Sequence, residues 1–416
     1  MNYTDVFGEI VSIMEKDSAT CKDYGAGDYA RYREQISDDM DRMEFLHLVQ
    51  DYLSTFKVYG HLRLRDNTLG SIGFSVARYE DALYVTNANT DTGLVPGDKI
   101  IAIDSNSITE VADREKNFLM GEAYERQGDL WCDILKFYKT VTVIGKDGIN
   151  KDISIIHNSK TNNNEKYSYK KISEDTLYLK FLDFADEEAI NRIYDECRDE
   201  LDCCNNLIVD VRGNGGGADS AFFPLLSYAY PEGVSLAEYE KTRYPIEINY
   251  SDRNCKDRLR LLNDFFGDNV PEEAKAMVDK MLSNLETNMG KGFVIDDDND
   301  DNIEGDEIIG KETPERVFVI TDEGCASSGE AFVEAVSFSS KAIVVGRPTC
   351  GILDYSNCNM VQLGEFTFVY PTSRDTRIDH GLGMGQKGVQ VDHYIPWTPD
   401  NIGKDPELDY ILERIG

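Results

Sequence analysis

One stretch of the chain joins a predicted buried strand to a predicted helix: Thr321-Asp-Glu-Gly-Cys-Ala-Ser-Ser-Gly-Glu330. The apolar run Val317-Phe-Val-Ile320 precedes it, and the helical pattern Ala331-Phe-Val-Glu-Ala-Val336 follows it. A strand that restarts as a helix places a small polar residue beside unpaired backbone N–H groups at the positive end of the helix. A nucleophilic serine and its oxyanion site can be built together there. Serine is also a common N-cap, so this stretch alone leaves both interpretations open.

The composition indicates a large, acidic protein. The 416 residues are 41% hydrophobic, which is enough for a sizeable core, and this length predicts about two to four domains. Asp and Glu number 77 against 43 Lys and Arg, giving a formal net charge of -34. A surface this negative repels nucleic acid and anionic membranes, favours solubility and tolerates basic peptides.

Neither membrane insertion nor secretion is expected. The chain lacks an apolar run of about 18 residues, and its start, Met1-Asn-Tyr-Thr-Asp-Val-Phe-Gly-Glu9, does not resemble a secretory signal. Nine scattered cysteines without paired Cys-x-x-Cys units predict a reducing compartment, no disulfide framework and no metal site. We therefore expect a cytoplasmic location, with a secreted or periplasmic one open for a trimmed sequence. The oligomeric state stays open.

The pattern of residues changes twice along the chain, which predicts three domains. Residues 1–63 carry apolar side chains at helical spacing. Residues 64–160 contain short β-rich runs separated by Pro and Gly turns. Residues 161–416 alternate strands and helices, which is typical of an α/β layer, and a predicted helical insertion interrupts them at about 233–312.

An acidic run lies inside the insertion: Asp296-Asp-Asp-Asn-Asp-Asp-Asn-Ile-Glu-Gly-Asp-Glu307. Calcium binding is one interpretation of so many carboxylates. A calcium loop of the helix–loop–helix type needs Gly at its sixth position, where this run has Asp301. We therefore interpret the run as a solvated loop.

A glycine-rich stretch follows another predicted buried strand: Asp210-Val-Arg-Gly-Asn-Gly-Gly-Gly217. Glycines directly after a strand let backbone N–H groups approach a ligand or a developing oxyanion. The stretch lacks the Lys-Ser/Thr of a phosphate-binding loop and the Gly-x-Gly-x-x-Gly spacing of a dinucleotide site. We interpret it as part of an oxyanion site rather than as a flexible connection.

A nucleophilic serine needs a base, and His61 is the candidate among the five histidines. It lies where the helical region meets the β-rich region, and clefts often form at such junctions. The alternative for this residue alone is a surface histidine beside a turn glycine, Gly60.

The β-rich region resembles a PDZ domain. Leu94-Val-Pro-Gly-Asp-Lys-Ile-Ile-Ala-Ile-Asp104 is similar to the Gly-Asp strand entry of such domains. Leu69-Gly-Ser-Ile-Gly-Phe74 is similar to their carboxylate-binding loop. The resemblance implies a peptide-binding loop formed by Gly70, Ile72, Gly73 and Phe74, with an extended peptide added to a sheet edge.

Taken in order, the motifs resemble those of the C-terminal processing, or tail-specific, serine proteases. The order is a helical part, a Gly-His segment, a PDZ-like domain and the two stretches above, followed by three further motifs: Val345-Gly-Arg-Pro-Thr-Cys-Gly351, Gly388-Val-Gln-Val-Asp392 and Gly403-Lys-Asp-Pro-Glu-Leu408. The resemblance implies a mixed α+β and α/β multidomain fold: a helical N-terminal region, a PDZ-like β domain and a crotonase-like α/β protease core with a helical insertion.

The resemblance also implies the site and its partners. Ser327 is the nucleophile and His61 the base. The backbone N–H of Ser328, with that of Gly215 or Gly216, holds the oxyanion. The implied substrate is a peptide or unfolded protein, and no metal or cofactor is implied.

Two departures place the chain closer to the tricorn-like branch, which lacks the catalytic lysine. The lysine of a Ser–Lys dyad would follow Thr349-Cys-Gly351, where Ile352 stands. Gly60 and Gly385 occupy the places of the serine and glutamate that orient the histidine in that branch. An orienting group therefore has to come from elsewhere, with Asp379, Asp392 or a backbone carbonyl as candidates.

Three functions follow from these observations. The first is a serine endopeptidase that cleaves unstructured peptides or protein C-termini. The second is a catalytically inactive, peptide-binding pseudo-protease of the same fold, because the lysine and the orienting residues are missing. The third, a hydrolase of small acyl substrates, is disfavoured because the serine stretch is not Gly-x-Ser-x-Gly.

Overall fold

A computed structural model describes residues 1–119, 123–128, 130–145, 148–157, 165–267, 270, 272–296 and 308–415. The acidic run predicted as a loop lies outside these residues, apart from Asp296. Within the described part, no helix is long and apolar enough to cross a membrane.

The helices and strands are numbered in chain order. The helices are α1 (Tyr3–Lys16), α2 (Cys21–Tyr24), α3 (Tyr29–Arg33), α4 (Arg42–Ser54), α5 (Ile108–Arg114), α6 (Leu130–Leu135), α7 (Glu187–Glu196), α8 (Arg198–Cys203), α9 (Phe223–Ala229), α10 (Leu236–Glu240), α11 (Asp252–Phe266), α12 (Glu272–Asn288), α13 (Ser328–Ser337) and α14 (Pro406–Ile415). The strands are β1 (Arg63–Asp66), β2 (Phe74–Tyr79), β3 (Ala82–Ala88), β4 (Lys99–Ile103), β5 (Asn106–Ser107), β6 (Thr140–Ile144), β7 (Asn150–Ser154), β8 (Tyr167–Lys171), β9 (Thr176–Phe181), β10 (Asn206–Asp210), β11 (Ile246–Tyr250), β12 (Gly292–Asp296), β13 (Arg316–Thr321), β14 (Ala342–Gly346), β15 (Tyr355–Leu363), β16 (Phe366–Asp375) and β17 (His393–Tyr394).

The chain forms two compact units, each built from three segments. The first unit contains Met1–Thr68, Tyr244–Asp298 and Asp354–Gly383. The second unit contains Leu69–Arg243, Asn299–Leu353 and Met384–Gly416.

The first unit is organised around an antiparallel sheet with the order β1-β16-β11-β12, and β15 pairs with the other edge of β16. The amphipathic helices α1 and α4 cover it with aromatic side chains. The rings of Tyr3 and Phe45 stack with centroids 4.3 Å apart, and Phe45 contacts Phe366 of β16 at 5.5 Å. Such pairs add to the stabilisation from apolar burial.

The predicted helical insertion is only partly helical. It contains α10, α11 and α12, but also β11 and β12, which join the sheet of the first unit. Strand β11 (Ile246–Tyr250) pairs with a neighbouring strand on each of its edges. Its first residues are only half buried, so its sequence does not show the apolar pattern of a buried strand. Strands of this kind are decided by partners distant in sequence.

The core of the second unit is a sheet with the order β17-β14-β13-β10-β9-β8. Its pairs are parallel except that β8 runs antiparallel to β9. Alternate residues of β10 face different layers: Leu207 and Val209 pack with Phe332 of α13, while Ile208 packs with Ile411 of α14. A parallel strand buried on both faces explains the continuous apolar run, and it confirms the predicted mixed α/β fold.

The second unit also contains a smaller antiparallel sheet with the order β2-β3-β4-β6-β7, in which β2 lies at one end. Helix α6 packs against β2. Trp397 of the core contacts Tyr79 and Tyr84 of this sheet, with ring centroids 6.4 Å and 6.3 Å apart. Arg126, between β5 and α6, donates to the carbonyl oxygens of Pro348, Thr349 and Cys350 at 2.6, 2.6 and 3.1 Å.

Candidate active site

Ser327 lies at the turn between β13 and α13 with a backbone conformation that is rare for a residue with a side chain. Its φ is 53° and its ψ is -127°, and its hydroxyl does not cap the helix. An N-cap serine has extended backbone and accepts a hydrogen bond from the first helical turn, so the capping interpretation does not describe this residue. Such a conformation costs about 1–3 kcal/mol and is found mainly at functional sites.

The turn is held by bonds on either side of Ser327. Asp322 Oδ1 accepts from the N–H groups of Gly213 and Gly324, at 2.8 and 3.1 Å. The Ala326 N–H donates to the carbonyl oxygen of Asn214 at 2.8 Å. The glycine-rich loop after β10 therefore helps to maintain the unusual conformation of Ser327.

Gly216 and Gly217 allow this loop to approach other backbone closely. A Cβ added to Gly216, whose φ is +92°, would lie 2.5 Å from Ser327 Cβ and 3.0 Å from Ser327 Oγ. A Cβ on Gly217 would lie 2.1 Å from the carbonyl oxygen of Phe184. Both positions therefore need glycine, and the loop passes directly against the candidate nucleophile.

Two predicted oxyanion donors already donate within the protein. The Gly215 N–H donates to the carbonyl oxygen of Leu182 at 3.3 Å, and the Gly216 N–H donates to Asn214 Oδ1 at 2.9 Å. Both N–H groups therefore have acceptors within the protein. The assignment of the donor to Gly215 or Gly216 stays a prediction, and these two hydrogen bonds do not favour it.

Gly217 offers the next N–H along the loop. Gly217 forms a parallel bridge with Phe184 through the Gly216 carbonyl and the Ala218 N–H. This pairing turns the N–H and the carbonyl of Gly217 away from Phe184. The Ser328 hydroxyl donates to that carbonyl at 2.9 Å. Within the described residues, neither the Gly217 N–H nor the Ser328 N–H at the start of α13 has an acceptor.

Asn214 was not singled out from the sequence, but it connects the parts of the site. It is fully buried. Its Nδ2 donates to the Phe181 carbonyl at 3.0 Å, while its Oδ1 and its backbone oxygen accept from Gly216 and Ala326. The only sequence signal is its position inside the glycine-rich stretch after a buried strand.

Glu330, in the first turn of α13, holds the loop where a catalytic lysine would lie in the lysine-containing relatives. Its buried carboxylate accepts from the Thr349 hydroxyl and from the N–H groups of Gly351, Ile352 and Leu353, the last three at 2.6, 2.8 and 3.2 Å. Burial raises the pKa of Glu330 above its ordinary value, although these hydrogen bonds lower it. Ile352 is buried, so the loop presents an apolar side chain at that position.

The start of the glycine-rich loop is tied to the C-terminal segment by ion pairs. Arg212 contacts Asp210 at 2.6 Å, Asp405 at 2.8 Å and Glu407 at 3.2 Å. Glu407 is buried and also contacts Arg347 at 2.6 Å. The motif around Asp405 therefore anchors the loop and carries none of the reacting groups.

His61 belongs to the first unit, and its ring has a fixed acceptor there. Its Nδ1 lies 2.6 Å from the carbonyl oxygen of Tyr355. A carbonyl only accepts, so Nδ1 carries a proton and Nε2 is the basic nitrogen of the neutral ring. Of the three orienting groups considered from the sequence, a backbone carbonyl is the one in contact. Asp379 instead pairs with Arg374, and Asp392 accepts from the Val344 N–H.

The side chain of Tyr355 is itself fixed. Its hydroxyl donates to Asp23 at 2.7 Å, and Asp23 also accepts two bonds from Arg374 at 2.6 and 2.8 Å. Arg374 is fully buried. Burial and the hydrogen bond to Asp23 raise the pKa of Tyr355, so the phenol stays protonated and keeps donating.

The predicted peptide-binding loop leads into β2 at the end of the smaller sheet. The side chains of Ile72 and Phe74 in this loop are buried. Gly73 has a φ of +79°, donates to Ser71 Oγ at 3.0 Å and accepts from the Asn89 N–H at 2.7 Å. An end strand beside a helix is the arrangement that strand addition requires.

The sequence profile of Peptidase family S41 matches residues 175–395, just over half of the chain. The chain therefore belongs to this family and is a serine-type peptidase, and the predicted resemblance to C-terminal processing proteases is confirmed. No curated protein sequence matches the chain.

Two solved structures of mature CPAF share the fold. In its complex with lactacystin, CPAF is 12% identical with a TM-score of 0.65, covering 99% of this chain and 97% of CPAF. A second structure of mature CPAF is 13% identical with a TM-score of 0.62, covering 99% and 95% of the two chains. Identity this low supports the architecture over nearly the whole chain and no individual residue role.

Proposed function

We propose that the protein is a serine endopeptidase that cleaves unstructured peptides or protein C-termini, with Ser327 as nucleophile and His61 as general base. One observation carries the proposal. Ser327 is held in a strained turn at a helix N-terminus, and the N–H groups of Gly217 and Ser328 beside it have no acceptor among the described residues. A nucleophile beside preorganised donors is the arrangement that acyl transfer requires.

In the proposed reaction, Ser327 Oγ attacks the carbonyl carbon of the scissile peptide bond while His61 Nε2 takes the hydroxyl proton. The Gly217 and Ser328 N–H groups bind the oxyanion of the tetrahedral intermediate. His61 then returns the proton to the leaving amine, and a water molecule releases the acyl group by the same steps. Removing one oxyanion donor typically lowers the rate by about 10²–10³.

The Tyr355 carbonyl replaces a charged orienting residue in this proposal. Its contact with Nδ1 selects the tautomer in which Nε2 can act as the base. A neutral carbonyl stabilises the imidazolium that forms less than a carboxylate does, so catalysis depends more on orientation than on charge. The isoleucine at position 352 is consistent with a mechanism that uses histidine in place of lysine.

The smaller sheet would present the substrate. We propose that residues 64–160 act as a PDZ-like domain, in which a peptide adds to β2 and Gly70, Ile72, Gly73 and Phe74 form the loop at its end. Backbone pairing binds peptides with little regard to sequence, which suits unfolded substrates. The three predicted domains, the cytoplasmic location and the closer relation to the tricorn-like branch remain part of this proposal.

Labelling with a fluorophosphonate, followed by mapping of the modified residue, tests the mechanism. The wild type should be labelled at Ser327 and should cleave a disordered polypeptide. Ser327→Ala should abolish both, whereas the matched control Ser337→Ala on the same helix should abolish neither. A wild type that neither reacts nor cleaves between pH 6 and 9 would instead support the inactive peptide-binding alternative.

A further inference from the structure

We propose that Arg63 and Arg258 form a subsite beside His61 that binds a carboxylate of the peptide substrate. The inference rests on the proposed function, because it assigns a preference to the same site. It concerns the first compact unit alone, which contains both arginines and His61.

Arg63 and Arg258 approach one place from different elements. Arg63 begins β1 between the buried residues Leu62 and Leu64, so its side chain leaves the opposite side of the strand. Arg258 lies on α11, and its Nη2 is 3.4 Å from the carbonyl oxygen of Asn357 at the start of β15.

Cys358 links the segment that Arg258 contacts to the backbone of His61. Its Sγ lies 3.7 Å from the His61 carbonyl oxygen. Burial raises the pKa of Cys358 to about 12, and the charges of Arg63 and Arg258 lower it. Arg63 follows His61 by two residues, and Arg258 contacts the residue before Cys358, so each arginine is next to one side of the contact between Cys358 and His61.

Neither guanidinium is neutralised within the described residues. Arg63 Nε is buried without a hydrogen-bond partner, and Arg258 makes only the bond to the Asn357 carbonyl. Burial lowers the pKa of Arg258, and no carboxylate offsets it. By contrast, a carboxylate contacts each of Arg42, Arg212, Arg253, Arg347, Arg374 and Arg377.

Half-buried positive charges without a counter-ion are costly in a folded protein, and they are unusual in a chain with 77 acidic residues against 43 basic ones. A bound anion would remove this cost. The planar guanidinium matches a carboxylate, which can accept two parallel hydrogen bonds from it. Because the chain as a whole repels acidic molecules, the site suits one carboxylate on a peptide and not a polyanion.

A peptide supplies a carboxylate either at its C-terminus or in an Asp or Glu side chain. Both offer the same chemistry to the arginines, so the assay has to separate them. One peptide pair carries a C-terminal acid or amide, and a second pair carries Glu or Gln at each position near the scissile bond. A charged hydrogen bond changes kcat/KM by about 10- to 100-fold, so one pair should show that preference.

Arg63→Gln and Arg258→Gln should each bring the preference close to 1. The matched control Arg192→Gln removes an exposed arginine of α7 that pairs with Glu188, and it should keep the preference. If the variants do not fold, the ratio of kcat/KM between the members of each peptide pair, measured with the wild type, still tests the subsite. Equal cleavage of both members of every pair would overturn the subsite.

Binding of the same peptides to Ser327→Ala, followed by fluorescence anisotropy, separates this inference from the proposed function. An enzyme that reacts with fluorophosphonate but shows no carboxylate preference refutes the subsite alone. An unreactive protein refutes the catalytic proposal, and the binding preference then decides whether the subsite stands.

Discussion

Replacing Gly216 by alanine should separate the geometry of the active site from the stability of the fold. The new Cβ would lie 2.5 Å from Ser327 Cβ and 3.0 Å from both Ser327 Oγ and the Ser328 nitrogen. Because carbon atoms in contact are about 3.5–4.0 Å apart, the new Cβ and Ser327 Cβ have to move apart by roughly 1–1.5 Å. A displacement of about 1 Å of a reacting atom can lower the rate by about 10²-fold.

The stability cost of Gly216→Ala has two parts. The φ of +92° is unfavourable for alanine, by about 1–2 kcal/mol. Overpacking against Ser327 adds about 1–3 kcal/mol. Thermal unfolding would report this loss, while the rate of fluorophosphonate labelling would report the displacement of the nucleophile.

Gly215→Ala is the matched control one residue away. A Cβ there would meet no atom within 4 Å, and the backbone does not have positive φ. We expect its labelling rate to stay within about 3-fold of the wild type, with the loss at Gly216→Ala near 10²-fold. Equal labelling of Gly216→Ala and the wild type, or equal loss in both variants, would refute the close contact between the glycine-rich loop and Ser327.

Two further changes test the support of the site. Tyr355→Phe removes the 2.7 Å hydrogen bond from the Tyr355 hydroxyl to Asp23. Because residue 355 is then held less firmly, its carbonyl should orient His61 less well, and kcat should fall by about 3- to 10-fold with little change in KM. Steady-state kinetics measures this, and an unchanged kcat contradicts the role of Tyr355. Asp405→Asn tests the ion pair with Arg212: burial raises the pKa of Asp405, but Arg212 outweighs burial and holds it below its ordinary value. A carboxylate whose pKa is lowered by folding stabilises the fold above a pH of about 4, and this stabilisation is lost as the pH falls through the folded-state pKa. The free energy of unfolding of the wild type should therefore exceed that of the variant by about 1 kcal/mol at pH 7 and by less at pH 3. Urea unfolding at both pH values measures the difference, and a gap that widens in acid contradicts the pairing.

The core sheet and the nucleophile turn could be predicted from local patterns. Leu207 to Val209 and Val317 to Ile320 are continuous apolar runs, and a strand buried on both faces requires such runs. The proposed role of Ser327 came from its position between a strand and a helix together with the order of the other motifs along the chain.

The identity of the hydrogen-bond donors and acceptors could not be predicted in the same way. Gly215, Gly216 and Gly217 are the same residue type, so the sequence does not tell which of their N–H groups have acceptors within the protein or that the Gly217 carbonyl accepts from Ser328. The acceptor for His61 is a backbone carbonyl, which every residue possesses. Asp379 and Asp392 were reasonable candidates, but each is engaged with another donor.

The sheet of the first unit also has a consequence for synthesis of the chain. Arg63 of β1 pairs with Val369 of β16, and β11 pairs with the same strand at Ser373. Loop closure over such separations is slow, and a growing chain lacks β16 until most of it has left the ribosome. His61, just before β1, therefore gains its Tyr355 partner late. In the proposed mechanism, the base is therefore oriented only after most of the chain has been synthesised.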